Sequence, residues 1–333
     1  MTRLASCRVS PLALLALTLC ALLPLPAAAQ AVSASPAPVL EGESCSVQGL
    51  MDQIRRGMGS KSKAYKSYLR TLLREAAVTL PDAELRAAFE RETDPVMAEH
   101  LAAAMVARSE READRDAMKA VARRALEASD PAIRSATVRA MRRTGAIEKT
   151  GDMYERLVRD SSPEVRMEAA TNLVEDNHYV YAGQYGPATD AAVGAAVAST
   201  DPKVTAKILG NISTEKISAE SASQLKGLLS SGEAEVRQAA ALALGGVPAE
   251  HMASAREALI SMYRGERDAG VRKALLQSIA QLGFSAAVPE LQRLRGVEPS
   301  LAPEIDAWIR VLNMGLQEWN LILREKQRLQ QVP

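Results

Sequence analysis

The chain has 333 residues, of which 47% are hydrophobic, 24% charged and only 3% aromatic. Two Phe and two Trp are too few for a sandwich or barrel core that leans on large rings, and three Cys exclude a disulfide scaffold. With 41 Lys and Arg against 40 Asp and Glu, the net charge is +1, so there is no global electrostatic case for nucleic acid.

Residues 1–29 read as a cleaved secretory signal peptide. Arg3 and Arg8 give a basic start, Pro11 to Leu23 is an almost unbroken apolar run, and Ala27-Ala28-Ala29 supplies small residues before Gln30. About a dozen apolar residues fall short of the roughly 20 a membrane span needs, so no span is expected in the mature chain. Lipoprotein processing at Cys20 is the rival reading, and Leu19 is too bulky for the small residue usually found there. The Ala-rich signal points to a bacterial protein in the periplasm, associated with the outer envelope, or secreted.

Cleavage leaves 39 basic and 40 acidic side chains, a net charge of −1, and Cys45 as the lone thiol. A small buried residue is the expected role of that thiol, ahead of an intermolecular disulfide or a reactive site. Residues 30–44, rich in Ala, Ser, Val and Pro without periodicity, read as a flexible linker.

Residues 45–80 are expected to form a helical hairpin that caps the N-terminal end, turning near Gly57–Ser60. Arg55, Arg56, Lys61, Lys63, Lys66, Arg70 and Arg74 fall within 20 residues with no acid among them. Such a cluster suits anionic lipid, polysaccharide or an acidic partner, and it equally suits the solvated face of a cap.

A repeat decides the fold of residues 81–300. Asp130-Pro131-Ala132-Ile133-Arg134 recurs as Ser162-Pro163-Glu164-Val165-Arg166, Asp201-Pro202-Lys203-Val204-Thr205, Glu233-Ala234-Glu235-Val236-Arg237 and Asp268-Ala269-Gly270-Val271-Arg272. Weaker copies start at Asp94-Pro95 and Ala302-Pro303. Measured at the Pro or its Ala replacement, the spacings are 36, 32, 39, 32, 35 and 34 residues. The residue before each Pro sits at an N-cap and the Pro at the first helical position.

Apolar residues two, six and ten positions after the Pro share one helical stripe, as in Val165, Ala169 and Leu173. Gly145, Gly245 and Gly283 are placed to end helices in the left-handed region. Second amphipathic stretches lie between the copies at 113–128, 153–158, 217–229, 252–263 and 288–294. A unit of two antiparallel helices cannot bury its apolar face alone, so stacked units are required. The fold class is all-α, an α-solenoid of about seven helix pairs.

These residues resemble HEAT repeats, especially the short type named after phycobilisome-lyase subunits, from about Pro81 to the C-terminus. The resemblance implies that the helices starting at Pro131, Pro163 and Pro202 line the concave face. It also implies a ladder in which the Arg of each copy bonds an acid six residues earlier. Asp160 and Arg166 reproduce that pairing, and Glu266 with Arg272 substitutes for it. Arg134 and Arg237 have Ala128 and Ser231 there, and Thr205 replaces the Arg, so a patchy ladder is expected. Asp130, Pro131, Arg134, Asp160, Pro163, Arg166, Pro202, Arg237 and Arg272 are the structural residues of the motif.

The 39-residue spacing marks an insertion at 176–187. It holds three of the seven Tyr and one of the three His: His178, Tyr179, Tyr181 and Tyr185. Loops on rigid scaffolds concentrate binding, and Tyr supplies contact area at low entropic cost. A loop folded over its own rings is the other reading. Residues 301–333 read as the last repeat helix and C-terminal cap, one long helix with Trp308, Leu312, Trp319 and Ile322 on its apolar stripe. Gly315 is placed to bend it, and a docking helix for another protein is the alternative role.

Ser60-Lys61-Ser62-Lys63 and Lys149-Thr150-Gly151 match S-x-x-K and K-T-G of penicillin-binding proteins and serine β-lactamases, but the S-D-N element is missing. No H-E-x-x-H or G-x-S-x-G is present, and His100, His178 and His251 fall in different units. The expectation is therefore an exported, non-catalytic scaffold without metal or cofactor. Its partner would be another envelope or secreted protein, and nucleic acid is not expected. Alternatives are a module that binds an anionic surface or glycan of the envelope, and an accessory or maturation factor for an exported enzyme.

Overall fold

An Asp followed by Pro opens a helix economically, because Pro fixes φ where no N–H is needed and Asp accepts from the first free amides. Asp130 Oδ1 takes the Ala132 N–H at 2.8 Å, Asp201 Oδ1 the Lys203 N–H at 3.1 Å and Asp94 Oδ1 the Met97 N–H at 2.9 Å. Asp268 does the same for Val271 without a proline. Ser162 and Glu233 make no side-chain cap. Before Pro163 the acceptor is Asp160, whose Oδ1 takes the Ser162 N–H at 2.8 Å.

A computed structural model describes residues 47–112, 115–150, 152–297 and 299–331, all within one compact unit, Glu43–Pro333. The expected signal peptide, the expected linker and Cys45 lie outside the described residues. Every element among the described residues is helical. α1 (Val47–Met58) and α2 (Lys63–Thr79) pack on one another as a helical hairpin.

Seven helix pairs follow, and the two helices of each pack on one another. They are α3 (Asp82–Arg91) with α4 (Pro95–Glu112), α5 (Arg115–Glu127) with α6 (Pro131–Ala140), and α8 (Met153–Leu157) with α9 (Pro163–Glu175). α7 (Ala146–Lys149) is a single turn between α6 and α8. Then come α10 (Gly186–Ala198) with α11 (Pro202–Leu209), α12 (Ala219–Leu228) with α13 (Ala234–Leu244), α14 (Ala249–Gly265) with α15 (Ala269–Gly283), and α16 (Val288–Val297) with α17 (Ala302–Leu312).

The second helices α4, α6, α9, α11, α13, α15 and α17 contact one another in that order and make one layer. The first helices α5, α8, α10, α12 and α14 stack into the other. The chain is an α-solenoid.

The predicted stripe is the core. Ile133, Thr137 and Met141 are buried, as are Val165, Ala169 and Leu173, Val236, Ala240 and Leu244, and Val271, Leu275 and Ile279. Only the copy at Pro202 falls short, since α11 ends at Leu209 and Ile212 is half-buried beyond it. α10 carries no period a sequence reading can use, because GPATDAAVGAAVA has almost no polar face.

Of the three glycines placed to end helices, Gly145 alone is left-handed, at φ +65°. After α15 it is Phe284 that takes positive φ, at +47°. The final segment is two helices, not one. α17 stops at Leu312, Gly315 turns at φ +71°, and α18 (Trp319–Gln331) folds back onto α17.

The Arg ladder is also not the expected one. Arg134 donates through Nη1 to the Ala128 carbonyl, six residues earlier, at 2.8 Å. Arg166 does so to Asp160 O and Arg237 to Ser231 O, each at 2.9 Å, and Arg272 bonds Glu266 O at 2.6 Å. The backbone at that position is the acceptor, so its side chain need not be acidic. The carboxylate comes from the next unit: Asp160 for Arg134, Asp201 for Arg166 and Glu266 for Arg237. Thr205, without a guanidinium, stays within its unit and bonds Ala196 O at 2.9 Å.

Candidate functional site

The insertion is built on the end of α9. That helix runs into one π-helical turn, Asp176–Val180, and a tight turn then leads into α10. π-turns of this kind are frequent at functional sites. Gly183, at φ +69°, lies so close to Ser213 that an added Cβ would meet the Ser213 Cβ at 2.5 Å. Only glycine closes the turn there.

Asn177, fully buried, staples the segment in place. Its Nδ2 donates to Thr189 Oγ1 at 2.9 Å and its Oδ1 accepts from Ser213 N at 2.9 Å. His178 is exposed, and its Nε2 bonds the Asn211 carbonyl.

The three tyrosines separate. Tyr181 and Tyr185 are half-buried and stacked, with ring centroids 5.0 Å apart. Both hydroxyls donate to the Glu148 carboxylate at 3.3 Å, and the Tyr181 hydroxyl also lies 3.4 Å from the Gly145 carbonyl. Burial, and then the Glu148 charge, push the Tyr181 phenol above its ordinary range. These two rings anchor the insertion to α7.

Tyr179 is instead 67% exposed, and the Arg143 guanidinium lies over its ring at 4.1 Å. Arg143, itself at φ +60°, also pairs with Glu175 at 2.7 Å.

Beside Tyr179 the layer of second helices carries a charged lattice that sequence reading missed. Arg139 bridges Glu99 of α4 at 3.0 Å and Glu168 of α9 at 3.2 Å, and Arg142 pairs with Glu168. Three successive units are thereby cross-linked. The lattice borders a groove of about 500 Å³ lined by Pro95, Val96, Ala136 and Met167 together with Glu99, Glu164 and Glu168. Nothing local in the sequence singles out Arg139, Arg142 and Arg143, because each acid that pairs with them comes from α4 or α9.

Beneath the insertion Asp176 is completely buried, and neither carboxylate oxygen has a hydrogen bond of ordinary geometry. Burial raises its pKa to about 6, against a smaller opposing pull from the backbone amides of residues 143–145 and 147.

The basic residues of the hairpin are brought into order. Lys63, Lys66, Arg70 and Arg74 form one stripe along α2, while Arg56 and Lys61 flank the turn. Arg55 leaves the group: it pairs with Asp52 at 2.5 Å and with the buried Glu92 at 2.9 Å.

His100, His178 and His251 are on α4, the π-turn and α14, and no group of three metal-ligating residues occurs among the described residues. Lys63 starts α2 and Thr150 follows α7, whereas Gly151 lies outside the described residues. No helix among the described residues is long and apolar enough to cross a membrane.

No protein-family model matches the chain, and no curated protein matches it. Solved structures do. The chain is similar to an engineered protein from a structural-genomics consortium, 19% identical over 79% of this chain and 78% of that one, with a TM-score of 0.38. It is similar to Escherichia coli YibA at 12% identity, over 84% and 92%, with a TM-score of 0.38. Human deoxyhypusine hydroxylase, solved in complex with glycerol, is 15% identical over 84% and 96%, with a TM-score of 0.26. These likenesses are remote, and the α-solenoid assignment rests on the helix pairs themselves.

Proposed function

We propose that the chain is an exported, non-catalytic HEAT-like scaffold of the short phycobilisome-lyase repeat type, which holds another protein of the bacterial envelope or outside the cell. The observation that carries the reading is Tyr179: a large ring, 67% exposed, presented on a rigid turn under Arg143. Tyr and Arg are the residues most enriched in binding hot spots, and here the ordering of the loop is complete before any partner arrives. Asn177, Tyr181, Tyr185 and Glu148 do that ordering. The groove beside it, lined by Met167, Val96 and the Arg139 lattice, supplies adjoining contact area. Export rests on the reading of residues 1–29.

The test is capture by the tagged protein from native envelope and culture fractions, followed by affinity measurement on the captured protein. Tyr179→Ala is expected to weaken that affinity at least tenfold, about 1.4 kcal/mol, with an unchanged melting temperature. Tyr181→Phe with Tyr185→Phe is expected to lower the melting temperature and leave a direct contact at Tyr179 intact. A partner held equally by wild type and Tyr179→Ala removes the loop from the interface. Failure to hold any protein removes the scaffold reading.

A further inference from the structure

The stripe on α2 is the other surface of the molecule with a pronounced chemical character. Residues 47–80 hold seven Lys and Arg against two acids, whereas residues 81–333 hold 32 against 36. The hairpin is thus a basic end on an otherwise slightly acidic solenoid. Arg55 aside, none of its cations has an ion-pair partner among the described residues, whereas Arg108 of α4 pairs with Asp82, and Arg134, Arg139, Arg142 and Arg143 in and after α6 each pair with an acid. Unpaired cations at helical spacing repel one another at a cost of a few tenths of a kcal/mol per neighbouring pair.

The stripe also has a defined neighbour. α2 packs on α4, where His100 is half-buried. Burial is the main cause that lowers the His100 pKa, and Arg74 and Arg70 lower it further against Glu99. Glu99, one residue before His100, lines the groove between α4, α6 and α9. Arg70 and Arg74 therefore lie on the side of α2 that faces His100 of α4.

We infer that this basic stripe binds an extended acidic segment of the partner protein. The inference rests on the scaffold reading and specifies the chemistry of what the scaffold holds. Successive turns of α2 place the cations about 5.4 Å apart. An extended strand places alternate side chains roughly 6.6 Å apart, so an acid at every other position meets one cation per turn. Glu99, Glu164 and Glu168, which line the groove, repel such a segment and keep it on the stripe.

The experiment uses the full chain and a fluorescein-labelled twelve-residue peptide of alternating Glu and Ser, read by anisotropy at low salt. Binding is expected, with loss of the signal at 0.5 M NaCl (roughly a 4 Å Debye length) and none for the Gln-Ser peptide. K63E/R70E/R74E is expected to weaken it at least tenfold, and R256E/R264E/R293E, an equal charge change on α14 and α16, less than twofold. Should the reversal variant fail to fold by circular dichroism, K63Q/R70Q/R74Q serves, with at least a fivefold loss expected.

Equal losses in the two charge-matched variants overturn the assignment, as does no binding by wild type. Binding to phosphatidylglycerol vesicles without binding to the peptide also overturns it and makes the stripe a lipid contact. The captured native partner separates the two levels. If wild type and K63E/R70E/R74E hold it equally, the stripe is removed and the scaffold stands; if neither holds any protein, the scaffold falls.

Discussion

Arg134 of one helix pair reaches Asp160 of the next through two hydrogen bonds, Nη2 to Oδ1 at 2.7 Å and Nε to Oδ2 at 2.8 Å. Both side chains are only 10% exposed. Asp160 Oδ1 at the same time accepts the Ser162 N–H ahead of α9. One carboxylate thus orders its own turn and receives the guanidinium of the preceding unit. Asp201 repeats the arrangement with Arg166 and the Lys203 N–H, and Glu266 with Arg237 and the amides of Arg267 and Asp268. Glu92 plays the same part for Arg55 at the N-terminal end.

Removing Arg134 leaves Asp160, in a nearly closed site, with no cation and only the Ser162 amide and the Ser161 hydroxyl as donors. Arg134→Ala is expected to cost about 2–3 kcal/mol, the range for charged hydrogen bonds and partly buried pairs. In a stacked array the loss is local, so amide exchange in α6, α8 and α9 should accelerate far more than in α15. Urea midpoints and exchange mass spectrometry measure both. A uniform change along the chain contradicts a unit-to-unit ladder.

Arg237 gives the ladder a pH signature. Its hydrogen bonds hold the Glu266 pKa at about 2, below the ordinary 4.5, in spite of burial. A depressed carboxylate stabilises the fold above the unfolded value and loses that contribution as pH falls through the folded one. The window here is therefore about pH 5 down to 2. Arg237→Ala should be less stable than wild type at pH 7 by up to about 3 kcal/mol, with the gap closing towards pH 2. Equal acid limbs in urea titrations at pH 7, 4 and 2.5 would refute the assignment.

Asp176 predicts the opposite sign. Its pKa is raised by burial from 3.8 to about 6, so the charged form is disfavoured in the fold. That group favours folding below about pH 4, and the advantage disappears as pH rises to 6. Asp176→Asn removes the ionisable proton while keeping the shape. The variant should be more stable than wild type at pH 7, by up to about 3 kcal/mol, and indistinguishable from it at pH 4. A difference that is flat from pH 4 to 7 would show that Asp176 ionises freely.

Much of this architecture was legible in the chain because Asp-Pro, a 34-residue spacing and an aliphatic stripe act locally. Pro131, Pro163 and Pro202 all start helices, and Val165, Ala169 and Leu173 all face the core. What escaped depends on contacts between units. The acid for Arg134 is 26 residues away at Asp160, and no local motif points there. Tyr179, Tyr181 and Tyr185 form one cluster in sequence, yet a π-turn sends Tyr179 outward and turns the other two onto Glu148. α10 was missed for a different reason: buried among neighbours on several sides, it has no polar face from which a period could be read.

The C-terminal end tests whether α18 is a cap. Trp308 on α17 is fully buried, and Trp319 stacks on it with centroids 5.6 Å apart and planes 2° from parallel. Lys326 lies over the Trp308 ring at 4.5 Å and pairs with Glu304 at 2.5 Å, both side chains being mostly buried. Trp319→Ala removes the stacked ring and is expected to cost about 3 kcal/mol, confined to the last unit. Because the chain has only two Trp, the variant leaves Trp308 as the sole indole reporter. If α18 is held by the stack, it detaches, water reaches Trp308 and the emission shifts to the red, with faster exchange across α17. An unshifted emission with unchanged stability would mean that Ile322 and the Lys326–Glu304 pair hold α18 without the ring.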